Sequence, residues 1–325
     1  MRCVVATEYG DPSVLSLTER PPADLAPDAV RVDVAGAGVN FADIEKRRGR
    51  YHGGPEPPFV PGMEVSGTVL EVGEAVDSHS PGDEVACILP DDGGYAETVV
   101  ARAPFVFDAP PGVGLVEAGG TLIQCLTAHN VLHEWGGVAP DHTVVVTAAA
   151  GGVGSIAVQL ASAAGATVVA AASTQEKLEF ASAHGAAHLV NYEETTLSSA
   201  LETITDGAGA DLLLDGVGGR VFSDGLRALA PGGVAVSFGV SSGDVPTVAT
   251  PRLLYANTSV VGYHLIRALE SIPERVLAAR EPLYDLLESG DLTVTVAETH
   301  DLADAPAVHA GIEARETRGR TVLVP

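Results

Sequence analysis

Residues 143–172 read TVVVTAAAGGVGSIAVQLASAAGATVVAAA, and this stretch decides the fold. Thr143–Thr147 is an unbroken β-branched run, as expected of a strand buried on both faces of a parallel sheet. Ala149-Ala150-Gly151-Gly152-Val153-Gly154 then forms a turn. In the G-x-G-x-x-G frame Gly151 and Gly154 match, and Ala149 stands in place of the first glycine. An amphipathic helix over 153–164 and a second strand over 167–171 follow. Glycines here let backbone approach a pyrophosphate and let the helix pack on the strand, while the helix N-terminus offers unpaired N–H groups and a positive dipole end. A glycine motif alone is weak; placed between a strand and a helix of a βαβ unit it points to dinucleotide binding by Gly151, Gly152, Val153 and Gly154.

Working outward, strands and helices keep alternating. Strands are expected at 188–192, 211–215 and 233–239, with helices over 175–184, 197–205 and 219–229, which is the pattern of a parallel α/β sheet. This domain is placed at 124–262. Before it, short β-like runs such as 30–39, 65–73 and 95–101 are separated by turns such as Pro81-Gly82-Asp83, as in a barrel-like β domain. Beyond 262, a helix over 273–289 and strand-like segments at 293–298 and 320–324 are expected to return to that β domain. The β domain is thus discontinuous, 1–123 with 263–325.

Composition narrows the function. The chain has 325 residues, 18 Lys+Arg against 43 Asp+Glu and a net charge of −25. Such acidity argues against a general nucleic-acid binder or a partner of anionic membranes. An apolar fraction of 46% excludes a disordered acidic chain. Cys3, Cys87 and Cys125 are too sparse for a disulfide framework or a zinc cluster. No charged residue occurs from Thr143 to Gln175, yet glycines and serines interrupt the run, so it reads as buried α/β structure and not a membrane span. No signal-like apolar segment opens the sequence, and a cytoplasmic location is expected. The ten histidines are read as offering no ligand-spaced set.

The end of the second strand tests the cofactor. NAD sites place an acid there for the ribose 2′-hydroxyl. This chain has Ala171-Ala172-Ser173-Thr174-Gln175-Glu176-Lys177, with no acid at 171–174. Ser173 can donate to a phosphate and Lys177 can supply charge, which favours NADPH over NADH. Lys177 is one of only two lysines; the bland reading is an ordinary surface helix residue.

The residues Gly38-Val39-Asn40-Phe41-Ala42-Asp43, Arg48-Gly49-Arg50-Tyr51, Pro61-Gly62-Met63-Glu64, Gly93-Gly94-Tyr95-Ala96-Glu97, Leu126-Thr127-Ala128, the glycine turn and the ending Gly319-Arg320-Thr321-Val322 are similar to the medium-chain dehydrogenases/reductases, and most of all to their zinc-free, zeta-crystallin-like quinone oxidoreductases. The resemblance spans the chain. It implies an α/β fold with a Rossmann domain and a discontinuous, β-rich GroES-like catalytic domain. Zinc relatives carry Cys at Asn40 and His at Met63; neither ligand is present, so no metal is expected. The resemblance places Ser173, Lys177, Tyr192 and Arg315 around the 2′-phosphate, and Thr127, Phe238 and Ser241 at the nicotinamide end. Tyr192 and Phe238 read equally as core residues, and Arg315 as an ion-pair partner of Glu313 or Glu316.

With no metal to polarise a carbonyl, hydride transfer suits quinones, enones and other activated alkenes, in a cleft between the domains. Asn40 is the candidate donor to the substrate oxygen or cofactor, and Tyr51 the candidate proton or hydrogen-bond donor. Asp43 is the third catalytic candidate, read as orienting the loop more than transferring protons. Where relatives often place a second tyrosine, this chain has Glu45. Lys46, Arg47, Arg48 and Arg50 are read as a solvated basic loop at the cleft border, with the alternative that they bind a phosphorylated substrate such as an enoyl-CoA. The rival functions are an enoyl-thioester reductase and a non-catalytic, crystallin-like NADPH-binding protein. A homodimer formed at the sheet end near 258–262 is implied by the resemblance.

Overall fold

Fifteen strands build the protein, and the computed structural model describes residues 1–325. They are β1 (Arg2–Ala6), β2 (Leu15–Glu19), β3 (Ala29–Gly38), β4 (Glu64–Val72), β5 (Glu84–Ile88), β6 (Thr98–Arg102), β7 (Val106–Asp108), β8 (Thr143–Thr147), β9 (Thr167–Ala172), β10 (His188–Asn191), β11 (Ala210–Asp215), β12 (Leu229–Ser237), β13 (Ser259–Gly262), β14 (Val296–Asp301) and β15 (Arg320–Val324). They divide between two compact units, Met1–Ile123 with Tyr284–Pro325, and Gln124–Leu283.

In the first unit the alternation of β3 sets the layering. Val30, Val32 and Val34 are buried while Asp33 is exposed, as the two-residue period of a half-covered strand requires. β3 pairs antiparallel with β4, β6 and β15, and the main sheet runs β14-β15-β3-β4-β5-β7. β1 and β2 form a separate antiparallel pair. The core gathers Val4, Val32, Val65, Val85, Tyr95 and Leu323. This is the GroES-like domain, closed by a C-terminal return through β14 and β15. β14 starts three residues later than the expected 293.

In the second unit Val144, Val145 and Val146 are fully buried, so β8 is covered on both faces. All pairings are parallel and the order is β10-β9-β8-β11-β12-β13. Numbered within the sheet, that is the Rossmann order 3-2-1-4-5-6, with its topological switch point between β8 and β11. The unit reaches Leu283, beyond the expected boundary at 262. The reason is packing on the helix that precedes the sheet: Asn130 Nδ2 donates to Val276 O at 3.2 Å, Arg275 pairs with Glu134 at 3.2 Å, and Trp135 meets the Tyr263 ring edge-on. The expected helix 273–289 is two helices, Pro273–Leu277 and Arg280–Ser289. No helix is long and apolar enough to cross a membrane.

Candidate active site

In the Rossmann unit the glycine turn lies at the carboxyl end of β8. Gly151 caps the helix Gly152–Ala163 with extended backbone, and its N–H donates to Ala148 O at 2.8 Å. Two glycines are closely approached. A Cβ on Gly154 would stand 2.3 Å from Ala148 O, and one on Gly152 would stand 1.7 Å from Gln124 Oε1. The left-handed residue of the turn is Ala148, at φ 48°, an uncommon position for a residue bearing a Cβ. Gln124 was not singled out from sequence; it lies one helical turn before Thr127, and both are buried on the Leu122–His129 helix.

The residues expected at the 2′-phosphate split between the units. Ser173 follows β9, and Thr174 caps the helix Gln175–Ala183, where Lys177 is half-buried in the first turn. Tyr192 follows β10 and its N–H donates to Ala172 O at 3.1 Å, so the ends of β9 and β10 bring Ser173 and Tyr192 side by side. Tyr192 also packs on the domain core and lines a cavity of about 100 Å³ with Thr196 and Arg220. At the other end of the sheet, Phe238 leaves β12 with its N–H on Asp215 O at 2.9 Å, and Ser241 N–H donates to Gly216 O at 3.0 Å. Arg315 belongs to the first unit. It takes the left-handed C′ position after the helix Ala305–Glu313, at φ 60°, within a Schellman turn in which Glu316 N–H reaches Gly311 O. Glu313 is engaged by Arg47 and Arg48.

The first unit holds the other expected residues around a short helix, Phe41–Arg47. Asn40 precedes it, buried, and donates from Nδ2 to Glu64 Oε1 at 3.0 Å. Glu64 is buried on β4; its Oε2 accepts Ile123 N–H at 3.0 Å. Burial raises the Glu64 carboxyl above its usual range, against the donors Ile123 and Asn40 and the charge of Arg320. Asp43 is fully buried. Its Oδ2 accepts Asn40 N–H at 2.8 Å and the Tyr95 hydroxyl at 3.3 Å. Burial pushes its carboxyl up to about 7; Lys46 opposes the shift and Asp92 adds to it. Tyr95 also bonds His309 Nε2 at 3.0 Å, and burial lowers His309 to about 3. Asp43 thus anchors the helix start through Asn40 N–H.

The basic segment needs correction. Lys46 and Arg47 close the helix and Arg48 caps it, Arg50 follows it, and two of the four cations are buried. Lys46 pairs with Asp92 at 2.7 Å, and Arg47 pairs with Glu313. Burial and these ion pairs leave no solvated basic face at 46–47, and no pair of open cations there for a phosphorylated substrate. Lys46 Nζ also lies 5.0 Å from the centroid of the half-buried Tyr51 ring. Glu64 and Asp92 were missed as site-building residues; a glutamate inside the apolar run 60–69 was the available signal for the first. The histidine reading is also corrected: His129 and His133 stand four apart on one helix, with ring centroids 4.5 Å apart, and burial holds His129 down to about 4. No three His, Cys, Asp or Glu side chains converge in a metal-holding arrangement.

A Rossmann sheet with a glycine turn at its switch point, joined in one chain to a GroES-like domain with a polar cluster at a helix start, defines a two-domain dehydrogenase or reductase. The zinc-binding dehydrogenase model matches residues 152–279 and the alcohol dehydrogenase GroES-like domain model matches 26–111. A quinone oxidoreductase of Pseudomonas aeruginosa is 32% identical over 317 residues, 98% of this chain and 97% of its own. A 2-haloacrylate reductase of a Burkholderia species is 33% identical, over 92% of this chain and 91% of its own. The crystal structure of Escherichia coli quinone oxidoreductase complexed with NADPH superposes with a TM-score of 0.94 at 31% identity, covering all of both chains. The chain belongs to the quinone oxidoreductase family of medium-chain dehydrogenases/reductases, and it is an oxidoreductase.

Proposed function

We propose that the protein is a zinc-independent reductase that transfers hydride from NADPH to quinones or activated alkenes. Its cofactor is NADPH, the ligand of the E. coli quinone oxidoreductase structure. The observation that carries the cofactor choice is the end of β9, where Ser173 and the half-buried Lys177 stand and positions 171–174 hold no carboxylate. Gly151, Gly152, Val153 and Gly154 hold the pyrophosphate at the helix N-terminus; Ser173, Lys177, Tyr192 and Arg315 bind the 2′-phosphate; Thr127, Phe238 and Ser241 receive the nicotinamide.

When bound, NADPH supplies the hydride. The chain's residues orient and protonate. Asn40 presents its amide to the substrate oxygen or the cofactor, held by Glu64 on one side and by Asp43 at its backbone N–H. Tyr51 donates a hydrogen bond or proton to the oxygen that gains charge, and the Lys46 ammonium over its ring favours that role. The Asn40–Glu64 bond and the buried Met63 support a metal-free site, since neither Asn40 nor Met63 belongs to a tetrahedral zinc set. The 2-haloacrylate reductase relative favours including activated alkenes beside quinones. Burial of Lys46 and Arg47 weighs against the enoyl-CoA reading.

The test is anaerobic NADPH oxidation with 1,4-benzoquinone, 9,10-phenanthrenequinone, 2-chloroacrylate and crotonyl-CoA. Turnover of crotonyl-CoA alone would sink this reading, and binding of NADPH without turnover of any acceptor would favour the non-catalytic one. The homodimer is part of the same reading: β13 ends the sheet, and Leu254 and Tyr255 beside it are 71% and 84% exposed. Light scattering at micromolar concentration distinguishes a dimer from a monomer.

A further inference from the structure

Thr147 ends β8 and Asp215 ends β11, the two strands that flank the switch point. Both side chains are fully buried. The Thr147 hydroxyl donates to Asp215 Oδ1 at 2.8 Å and accepts Gly216 N–H at 3.1 Å. Asp215 Oδ2 accepts Gly218 N–H at 2.8 Å. A buried carboxylate is costly unless its acceptor sites are filled. Here every named donor comes from the β8 end or from the turn at 216–218, so the pair acts on that turn.

The turn in turn holds the next strand end. Gly216 O accepts Ser241 N–H at 3.0 Å, and Val217 O accepts Ser242 N–H at 3.0 Å. The Phe238 ring lies 2.9 Å from where a Cβ on Gly216 would stand, so no side chain fits between them. Gly218, at φ 77°, takes a left-handed conformation that the Asp215 carboxylate stabilises through its N–H. Three strand ends, β8, β11 and β12, are therefore tied through two side chains.

We propose that Thr147 and Asp215 are positioning residues for the nicotinamide half of the cofactor, fixing the Gly216–Gly218 turn and through it Phe238 and Ser241. This rests on the cofactor site proposed above. The pair touches neither cofactor nor substrate; it sets where the residues that do so stand.

The experiment compares Thr147→Val, which keeps shape and removes the hydroxyl, with Thr147→Ser, which keeps the hydroxyl, and with Asp215→Asn. Dissociation constants are measured for NADPH and for adenosine 2′,5′-bisphosphate, which carries the adenine half only. NADPH binding should weaken about tenfold in Thr147→Val, the scale of one buried hydrogen bond. Adenosine 2′,5′-bisphosphate binding should stay within twofold, and Thr147→Ser should restore NADPH binding. Unchanged NADPH binding, equal weakening of both ligands, or failure of serine to restore it would overturn the proposal. If the unmodified protein binds the bisphosphate and not NADPH, the cofactor reading itself fails and this inference falls with it.

Discussion

Asn40 donates its side-chain amide to Glu64 Oε1 across 3.0 Å, and Glu64 gives its other oxygen to the backbone N–H of Ile123. Both Glu64 oxygens accept here, so Glu64 dictates which end of the Asn40 amide faces it. Glu64→Gln removes that rule, because the new amide can accept from one neighbour only. Turnover should fall about 5- to 100-fold, the equivalent of ~1–3 kcal/mol for a stranded buried partner. Steady-state kinetics with NADPH and 1,4-benzoquinone, alongside a melting curve, checks this; unchanged turnover would separate Asn40's orientation from catalysis.

The 2′-phosphate reading is tested at Lys177. Lys177→Ala should lower the preference for NADPH over NADH about 10- to 100-fold, as expected for one charge-assisted contact of ~1.5–3 kcal/mol. Equal changes for the two cofactors would show that Lys177 does not read the phosphate. The same comparison applied to Arg315→Ala checks the residue contributed by the first unit.

Glycine requirements in the turn differ in kind. Gly154→Ala drives a Cβ to 2.3 Å from the Ala148 carbonyl, which is backbone and has nowhere to go. Gly152→Ala meets the end of the Gln124 side chain, which can rotate away. Overpacking of the first kind costs about 1–3 kcal/mol. Gly154→Ala should therefore melt several degrees below Gly152→Ala, and thermal denaturation of the two variants reads the difference.

Asp43 sets a pH dependence of stability. Its carboxyl is raised from 3.8 to about 7, so the folded state holds a proton that the unfolded state releases earlier. This contribution is fully present below about pH 4 and is lost as pH rises through about 7. Asp43→Asn lacks it. The melting-temperature gap between the unmodified protein and Asp43→Asn should shrink steadily from pH 5 to pH 8. A gap that stays constant over that range would mean Asp43 is ionised throughout.

The Lys46–Asp92 pair is buried, so removing one partner strands a charge. Lys46→Met should destabilise by about 3–5 kcal/mol. Lys46→Met with Asp92→Asn should regain much of that, because no charge is left unpaired. Denaturant titration of the unmodified protein, Lys46→Met, Asp92→Asn and the double variant completes the cycle.

Local pattern and chemistry determined much of this protein. The β-branched run of β8, the glycine turn and the alternation after it specify a parallel sheet, because strands covered on both faces read as continuous apolar runs and helices as periodic ones. The missing carboxylate after β9 was equally legible, since the position follows from counting along one βαβ unit. Tertiary structure alone decided the rest. The segment 41–50 carries four cations, and charge at that density reads as solvent-facing; only the acids brought from position 92 and position 313 make burial of Lys46 and Arg47 affordable. Glu64 lies 24 residues from Asn40, and no periodicity links them until β4 pairs with β3. Arg315 takes a left-handed turn that its sequence, with no glycine there, does not announce. The helices at 265–277 join the Rossmann unit because Asn130, Glu134 and Trp135 hold them, a preference set by contacts between distant residues and by no property of the segment itself.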